Sequence, residues 1–295
     1  MQLYKAYRLL NIIFIKGEAI HSISYYKNKF MSQKIAIIGG GNLGTAIAEG
    51  LLKSGFSEPS EIIITKRNKA TLEALKERGV LVSSDNGAAV KDSSVIILAV
   101  KPFQVQEVLL GIVPELDAKK HLLVSVVTGA FIKDLQEMID KDIPLFRAMP
   151  NTAISIQESM TCLSSFNASK EQINFIENLF STLGKVATID EKLMDAATVL
   201  GACGTAYAMR YIRANIQGGI EIGFDAATAT LIAAQTVKGA ADLLLQKGSH
   251  PEQEIDKVTT PKGCTIAGLN EMEHQGFSSS LIKGIAVSFN KIVKG

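Results

Sequence analysis

Cysteine and histidine are scarce in this sequence, and the few that occur are scattered. The three cysteines, Cys162, Cys203 and Cys264, are far apart and odd in number, so they form neither a disulfide framework nor a CxxC motif. The four histidines show no HExxH or other paired-ligand spacing. We therefore expect no metal site and a location in the reducing cytoplasm.

The sequence also lacks a strong charge of either sign and a long apolar segment. A formal net charge of +2 with 20% charged residues gives no general attraction to nucleic acid. The apolar run Leu9–Ile15 is too short to span a bilayer. We expect a small-molecule substrate, with no nucleic acid and no membrane as partners.

The first thirty residues differ from the rest of the chain, because they are basic and contain a single acidic residue, Glu18. Met31 comes just before the first clear strand, so residues 1–30 are predicted to be a disordered leader or part of a mis-assigned start. An amphipathic transit peptide is the alternative.

At 295 residues the chain is long enough for two domains. From Lys34 to about Asp190, short apolar runs alternate with amphipathic segments, which is typical of βαβ units around a parallel sheet. The runs are Ile35–Ile38, Ile62–Ile64, Val80–Val82, Val95–Val100, Leu122–Val127, Leu145–Ala148, Met160–Leu163 and Val186–Ile189. Residues 31–190 are therefore predicted to be an α/β Rossmann-type, dinucleotide-binding domain.

Strand patterns end after Asp190, and helical patterns follow. Two long ones cover Glu191 to about Glu221 and Asp225 to about Gln246, and the second is rich in alanine, which favours close packing in a core or across a subunit interface. Residues 191–295 are predicted to be an all-α C-terminal domain.

A glycine motif follows the first strand directly. Gly39, Gly41 and Gly44, with Asn42 and Leu43 between the last two, satisfy GxGxxG between a strand and a helix. In dinucleotide-binding proteins the three glycines make a tight turn, admit the pyrophosphate and let helix and strand pack closely. The helix N-terminus adds N–H donors and a favourable dipole. We therefore expect dinucleotide binding here.

The residues after the second strand predict which dinucleotide binds. An NAD-specific site usually has an acidic residue at this position to hold the ribose hydroxyls, whereas this chain has Lys66 and Arg67. Two cations favour a 2′-phosphate, which Arg67 can grip through two hydrogen bonds. NADP(H) is the predicted cofactor, with NAD(H) as the alternative.

A further cofactor-binding segment is expected where the strand beginning at Val95 ends, since ligands of open α/β sheets bind at the carboxyl ends of strands. Its residues are Ala99, Val100, Lys101 and Pro102. Pro102 suits the first turn of the next helix.

Taken together, these segments resemble the pyrroline-5-carboxylate reductase family. Gly39–Gly44, Ala99–Pro102 and Arg147–Thr152 match family segments in order and spacing, and Gln235–Ala241 and Val258–Leu269 resemble its helical domain. The resemblance extends from Lys34 to about Lys291.

The resemblance implies NADPH-dependent reduction of L-1-pyrroline-5-carboxylate to L-proline, the last step of proline biosynthesis. It implies that the Thr265 hydroxyl binds the ring nitrogen and that backbone N–H groups around Thr260, Gly263 and Cys264 bind the carboxylate. It adds Asn151 to the cofactor site. It also implies a homodimer formed through the helical domains, with a larger ring of dimers as an extension.

Two departures leave alternatives open. The family usually has a serine- and glycine-rich turn ending in Gly-Pro-Ala-Tyr where this chain has Gly201–Tyr207, and two glycines where it has Lys262 and Gly263. Lysine restricts the backbone at a glycine position. The alternatives are a reductase of another imine or of a β-hydroxyacid, and a non-catalytic NADP(H)-sensing protein.

Overall fold

The structure is a computed structural model that describes residues 33–294. It divides into two compact units, the first ending at Met194 and the second beginning at Asp195. The predicted leader, residues 1–30, lies outside the described residues. The predicted domain limits at residues 31, 190 and 191 stay predictions.

The first unit is built on one eight-stranded sheet in the order β3-β2-β1-β4-β5-β6-β7-β8. All neighbouring strands are parallel except β6 and β7, which are antiparallel. The strands are β1 (Ile35–Ile38), β2 (Ile62–Thr65), β3 (Leu81–Ser83), β4 (Val95–Leu98), β5 (Leu122–Ser125), β6 (Leu145–Met149), β7 (Ser159–Phe166) and β8 (Gly184–Thr188). The sequence pattern predicted a strand at each of these places.

Helices alternate with most of these strands. They are α1 (Asn42–Ser54), α2 (Glu73–Glu77), α3 (Asn86–Lys91), α4 (Val105–Ile112), α5 (Ile132–Ile139) and α6 (Lys170–Ser181). Short 3-10 helices cover Pro59–Glu61, Lys69–Leu72, Pro102–Gln104, Val113–Glu115, Thr152–Ile156 and Glu191–Leu193. As predicted, Pro102 begins a helical turn, because its fixed φ suits that position.

The central strands are apolar on both faces because helices cover both faces. Successive side chains of a strand point to opposite sides. Accordingly, Ile35 and Ile37 of β1 pack in one core cluster with α1 and α6, whereas Ala36 and Ile38 pack in another with α3, α4 and α5. All four residues are fully buried. Two-sided burial places the functional surface at the ends of the strands.

The second unit consists of helices. They are α7 (Met194–Ala197), whose first residue still belongs to the first unit, a π-helical segment (Thr198–Cys203), α8 (Gly204–Glu221), α9 (Ala226–Lys247), α10 (Pro251–Lys257), α11 (Cys264–His274) and α12 (Phe277–Lys294). The prediction of one continuous helix over Glu191–Glu221 is therefore wrong in detail, because the structure divides the residues before α8 into 3-10, α and π segments. Gly201 and Gly204 weaken the α-helical preference there.

The second unit buries few of its side chains. Its buried residues among those described are Thr198, Val199, Ala229 and Ala233. Large apolar side chains remain exposed, including Leu200 (71%), Ile222 (78%), Leu231 (69%) and Leu245 (72%). Exposed apolar area of this extent marks a surface that another molecule covers.

Within residues 33–294, no helix combines the length and the apolar character needed to cross a membrane. The same residues contain no group of three or more His, Cys, Asp and Glu side chains arranged to hold a metal ion.

Candidate active site

The glycine turn between β1 and α1 has the geometry that its sequence predicts. Gly39 has φ +114°, which favours glycine, and a Cβ atom there would lie 2.5 Å from the carbonyl oxygen of Ala99. A Cβ atom at Gly44 would lie 2.0 Å from the oxygen of Gly39. At Gly41, by contrast, a Cβ atom would meet nothing within 4 Å. Two glycines therefore allow close packing, and the third faces open space.

The end of β2 holds this turn in place. The N–H of Gly40 donates to the Thr65 carbonyl oxygen at 2.7 Å, and the N–H of Gly39 donates to Thr65 Oγ1 at 3.3 Å. Lys66 and Arg67 follow directly, Lys66 half-buried and Arg67 exposed. The two cations therefore lie beside the glycine turn, as an interaction with a nucleotide 2′-phosphate requires.

A crevice of about 600 Å³ opens at the carboxyl ends of the strands. It is lined by every predicted cofactor residue except Gly44 and Asn151: Gly39, Gly41, Asn42, Leu43, Lys66, Arg67, Ala99, Val100, Lys101 and Pro102. The open space at Gly41 is the room that a pyrophosphate needs above the turn. The residues present therefore fit a dinucleotide.

The crevice also contains residues that sequence reasoning missed. Val126, Val127 and Thr128 follow β5, and Asn68, Ser84, Asn86, Gln104, Val108 and Thr152 complete much of the remaining wall. Because ligands bind at the carboxyl ends of strands and β5 lies next to β4, the end of β5 at Val126–Thr128 is a site that sequence could have indicated.

Gly44 and Asn151 have local structural roles. Gly44 is buried where α1 meets the glycine turn. Asn151 caps the 3-10 helix Thr152–Ile156 by accepting a hydrogen bond from the N–H of Ala153 at 3.0 Å, and its own N–H donates to Ser159 Oγ at 3.1 Å. The neighbouring Thr152 lines the crevice. A direct contact of Asn151 with the cofactor stays a prediction.

In the second unit, the four predicted substrate-binding residues lie together at the start of α11. Gly263 is the N-cap residue, and Cys264 and Thr265 form the first turn, where backbone N–H groups have no partner inside the helix. The N–H of Gly263 already donates to the Thr260 carbonyl oxygen at 2.9 Å. The N–H groups of Cys264 and Thr265 are therefore the better donors for an anion. Cys264 is exposed and Thr265 half-buried.

Lys262 is the unusual residue of this turn. It has φ +62°, a left-handed conformation that glycine adopts readily and lysine does not. The backbone thus keeps a glycine-like shape while the chain supplies an exposed cation.

Comparison with known proteins identifies the family. The model for the pyrroline-5-carboxylate reductase dimerisation domain matches residues 191–294, and the model for coenzyme F420-dependent NADP oxidoreductases matches residues 34–129. Pyrroline-5-carboxylate reductase 2 of Dictyostelium discoideum is 43% identical over 89% of this chain and 93% of its own length. The chain belongs to the pyrroline-5-carboxylate reductase family. Family membership confirms the expected Rossmann-type unit followed by a helical dimerisation unit, and makes the chain an NAD(P)H-dependent oxidoreductase.

Two further members extend this comparison. Pyrroline-5-carboxylate reductase 1 of Dictyostelium discoideum is 46% identical over 89% of this chain. The matched region covers only 50% of that relative's own length. The crystal structure of Plasmodium falciparum pyrroline carboxylate reductase with NADP bound is 25% identical, covers 88% of this chain and 97% of its own, and has a TM-score of 0.81. The reductase fold is thus shared along nearly the whole chain.

Proposed function

We propose that this chain is a pyrroline-5-carboxylate reductase that reduces L-1-pyrroline-5-carboxylate to L-proline with NADPH, the last step of proline biosynthesis. The observation that carries the proposal is the crevice, in which the glycine turn and the cations Lys66 and Arg67 meet. The family relationship supplies the class of substrate.

The crevice residues would bind the cofactor in distinct ways. Backbone N–H groups at the start of α1, near Asn42 and Leu43, favour the pyrophosphate charge. Arg67 offers a planar pair of donors for a 2′-phosphate, and Lys66 adds a second cation. Ala99–Pro102 and Val126–Thr128, which follow the neighbouring strands β4 and β5, add to the lining. When bound, NADPH supplies the hydride.

The start of α11 would bind the substrate. The N–H groups of Cys264 and Thr265, with the helix dipole, suit a carboxylate. The Thr265 hydroxyl is proposed to hydrogen-bond the ring nitrogen, with Thr260 and Gly263 shaping the turn. A cyclic imine takes a proton readily near neutral pH, so orienting it matters more than a strong side-chain acid.

The apolar surface of the second unit is consistent with the family's dimerisation domain, so the chain forms a homo-oligomer. We propose a homodimer through residues 191–295, with a ring of dimers as a larger assembly and residues 31–190 as the dinucleotide-binding domain. A cytoplasmic location is proposed because the free cysteines suit a reducing compartment.

The test is oxidation of NADPH and NADH by the purified protein with pyrroline-5-carboxylate, and with pyrroline-2-carboxylate as the competing substrate. Turnover that prefers NADPH and falls in Thr265→Ala supports the proposal. Calorimetric binding of NADPH without turnover of either imine would refute the reductase assignment and favour a nucleotide-sensing role.

A further inference from the structure

Arg147 of β6 is the largest fully buried side chain among the described residues and is only 1% exposed. Its Nη1 atom lies 3.1 Å from Glu191 Oε1, and its guanidinium carbon lies 4.7 Å from the centre of the Phe131 ring. A buried charge is retained only with close partners of this kind. We refer to Arg147, Glu191, Phe131 and Ile132 as the Arg147 cluster.

A single carboxylate oxygen joins three segments in this cluster. Besides its contact with Arg147, Glu191 Oε1 accepts a hydrogen bond from the backbone N–H of Ile132 at 2.7 Å. Ile132 begins α5, and Arg147 lies in β6. Glu191 lies in the segment by which the chain leaves the first unit, three residues before the buried Met194. The contact therefore fixes this exit segment to the sheet.

The same cluster reaches the wall of the crevice. Val126, Val127 and Thr128 line the crevice after β5, and Phe131 lies three residues beyond Thr128 in the same loop. Because Arg147 packs on the Phe131 ring while Glu191 holds the next N–H, the far end of this loop is fixed. The loop after β5 thus begins at the crevice and ends at Ile132, whose N–H binds Glu191 of the exit segment.

We propose that Arg147 and Glu191 are positioning residues of the reductase: they hold the crevice-lining loop after β5 and the exit segment in one fixed arrangement. The proposal rests on the proposed reductase function. Hydride transfer depends steeply on the placement of the reacting atoms, so a small shift of this loop lowers turnover. Lys66, Arg67 and the glycine turn line the crevice from outside this loop, so nucleotide affinity is expected to change much less than turnover.

The test must separate positioning from stability, since removing one partner of a buried ion pair leaves an uncompensated charge. Glu191→Gln retains an oxygen acceptor for the Ile132 N–H but removes the charge, and Arg147→Met removes the cation. In the double variant neither charge remains. Glu137→Gln is the matched control, because Glu137 is an exposed partner of Lys133 on the same helix as Ile132.

We expect both single variants to lose thermal stability and at least about tenfold in kcat with pyrroline-5-carboxylate. The double variant should recover most of the thermal midpoint while kcat stays low. Calorimetric affinity for NADPH should change less than about threefold in every variant, since a shift of this size is under 1 kcal/mol. Glu137→Gln should match the wild type.

Recovery of kcat together with thermal stability in the double variant would overturn the proposal, because the pair would then act only on stability. Single variants with wild-type kcat would also overturn it. Wild-type protein that binds NADPH but does not reduce the imine would instead refute the proposed function, and that result is distinguishable because it precedes any substitution.

Discussion

Gly44 packs directly on Gly39: a Cβ atom at Gly44 would lie 2.0 Å from the Gly39 carbonyl oxygen, far inside the contact distance of real Cβ atoms. The atom it meets is backbone, which cannot move aside without altering the turn. Gly41, two residues after Gly39, faces open space. In this motif, Gly39 and Gly44 therefore allow the backbone to pack closely, whereas Gly41 leaves space for a ligand above the turn.

Alanine substitutions should separate these roles. Gly44→Ala is expected to cost at least about 1 to 3 kcal/mol in the free energy of unfolding, because the turn is already fully packed. Gly41→Ala should leave stability nearly unchanged but weaken NADPH binding, since its methyl group projects into the space expected for the pyrophosphate. Urea unfolding and calorimetric titration measure the two effects. Equal stability losses in both variants would contradict this division.

Arg67→Ala should reduce the preference for NADPH. Losing a charge-assisted contact to the 2′-phosphate costs about 1.5 to 3 kcal/mol, or roughly 10- to 150-fold in kcat/KM with NADPH. The kcat/KM with NADH should barely change, because NADH lacks this phosphate. Lys69→Ala, which removes an exposed cation of the neighbouring 3-10 helix outside the crevice lining, is the control. An equal loss with both nucleotides would refute the assigned role.

The periodicity of the sequence predicted the central strands because they are apolar on both faces and are followed closely by a glycine or polar residue. It also predicted the glycine turn, whose spacing has a single structural meaning in a strand–turn–helix context. It did not predict the Arg147–Glu191 contact, which joins residues 44 positions apart. The periodicity also did not predict the π-helical segment Thr198–Cys203. A π-helix differs from an α-helix in its i→i+5 hydrogen bonds, and a short apolar pattern does not distinguish the two.

Lys262→Gly should stabilise the second unit. Lysine in the left-handed region costs about 1 to 2 kcal/mol, whereas glycine loses about 0.5 to 1 kcal/mol in additional backbone entropy on folding. The expected net gain is therefore between zero and about 1.5 kcal/mol, seen as a higher urea midpoint. Lys262→Ala is the control, because it removes the charge but keeps the strain. A gain of the same size in the alanine variant would show that charge, and not φ, is responsible.

The exposed apolar side chains of the second unit predict a stable oligomer. Light scattering should give at least twice the chain mass of 31.7 kDa. Leu231→Glu, at a leucine 69% exposed on α9, should lower this mass if the site is covered by a second copy. Leu110→Glu is the control, because Leu110 is 56% exposed on α4 of the first unit. A monomer in the wild type would contradict the proposed assembly.

His121 should make stability depend on pH. The side chain is 2% exposed, and its Nδ1 accepts a hydrogen bond from the N–H of Asp117 at 2.8 Å. Burial, reinforced by the nearby Lys120 cation, lowers the pKa of His121 below its ordinary value of 6.5. Well above pH 6.5 the ring is neutral in both the folded and the unfolded chain, so it adds no pH dependence there. As the pH falls below that value, the unfolded chain binds a proton that the folded chain excludes.

The free energy of unfolding should therefore fall with decreasing pH by up to about 1.4 kcal/mol per pH unit from this residue, until the folded pKa is reached. Urea unfolding at about pH 7.5 and about pH 5.5 measures the change. His121→Asn retains an oxygen that can accept the Asp117 N–H but does not titrate, so the variant should lose less stability over this interval. Parallel losses in the two proteins would show that other groups cause the pH dependence and that His121 is protonated equally in both states.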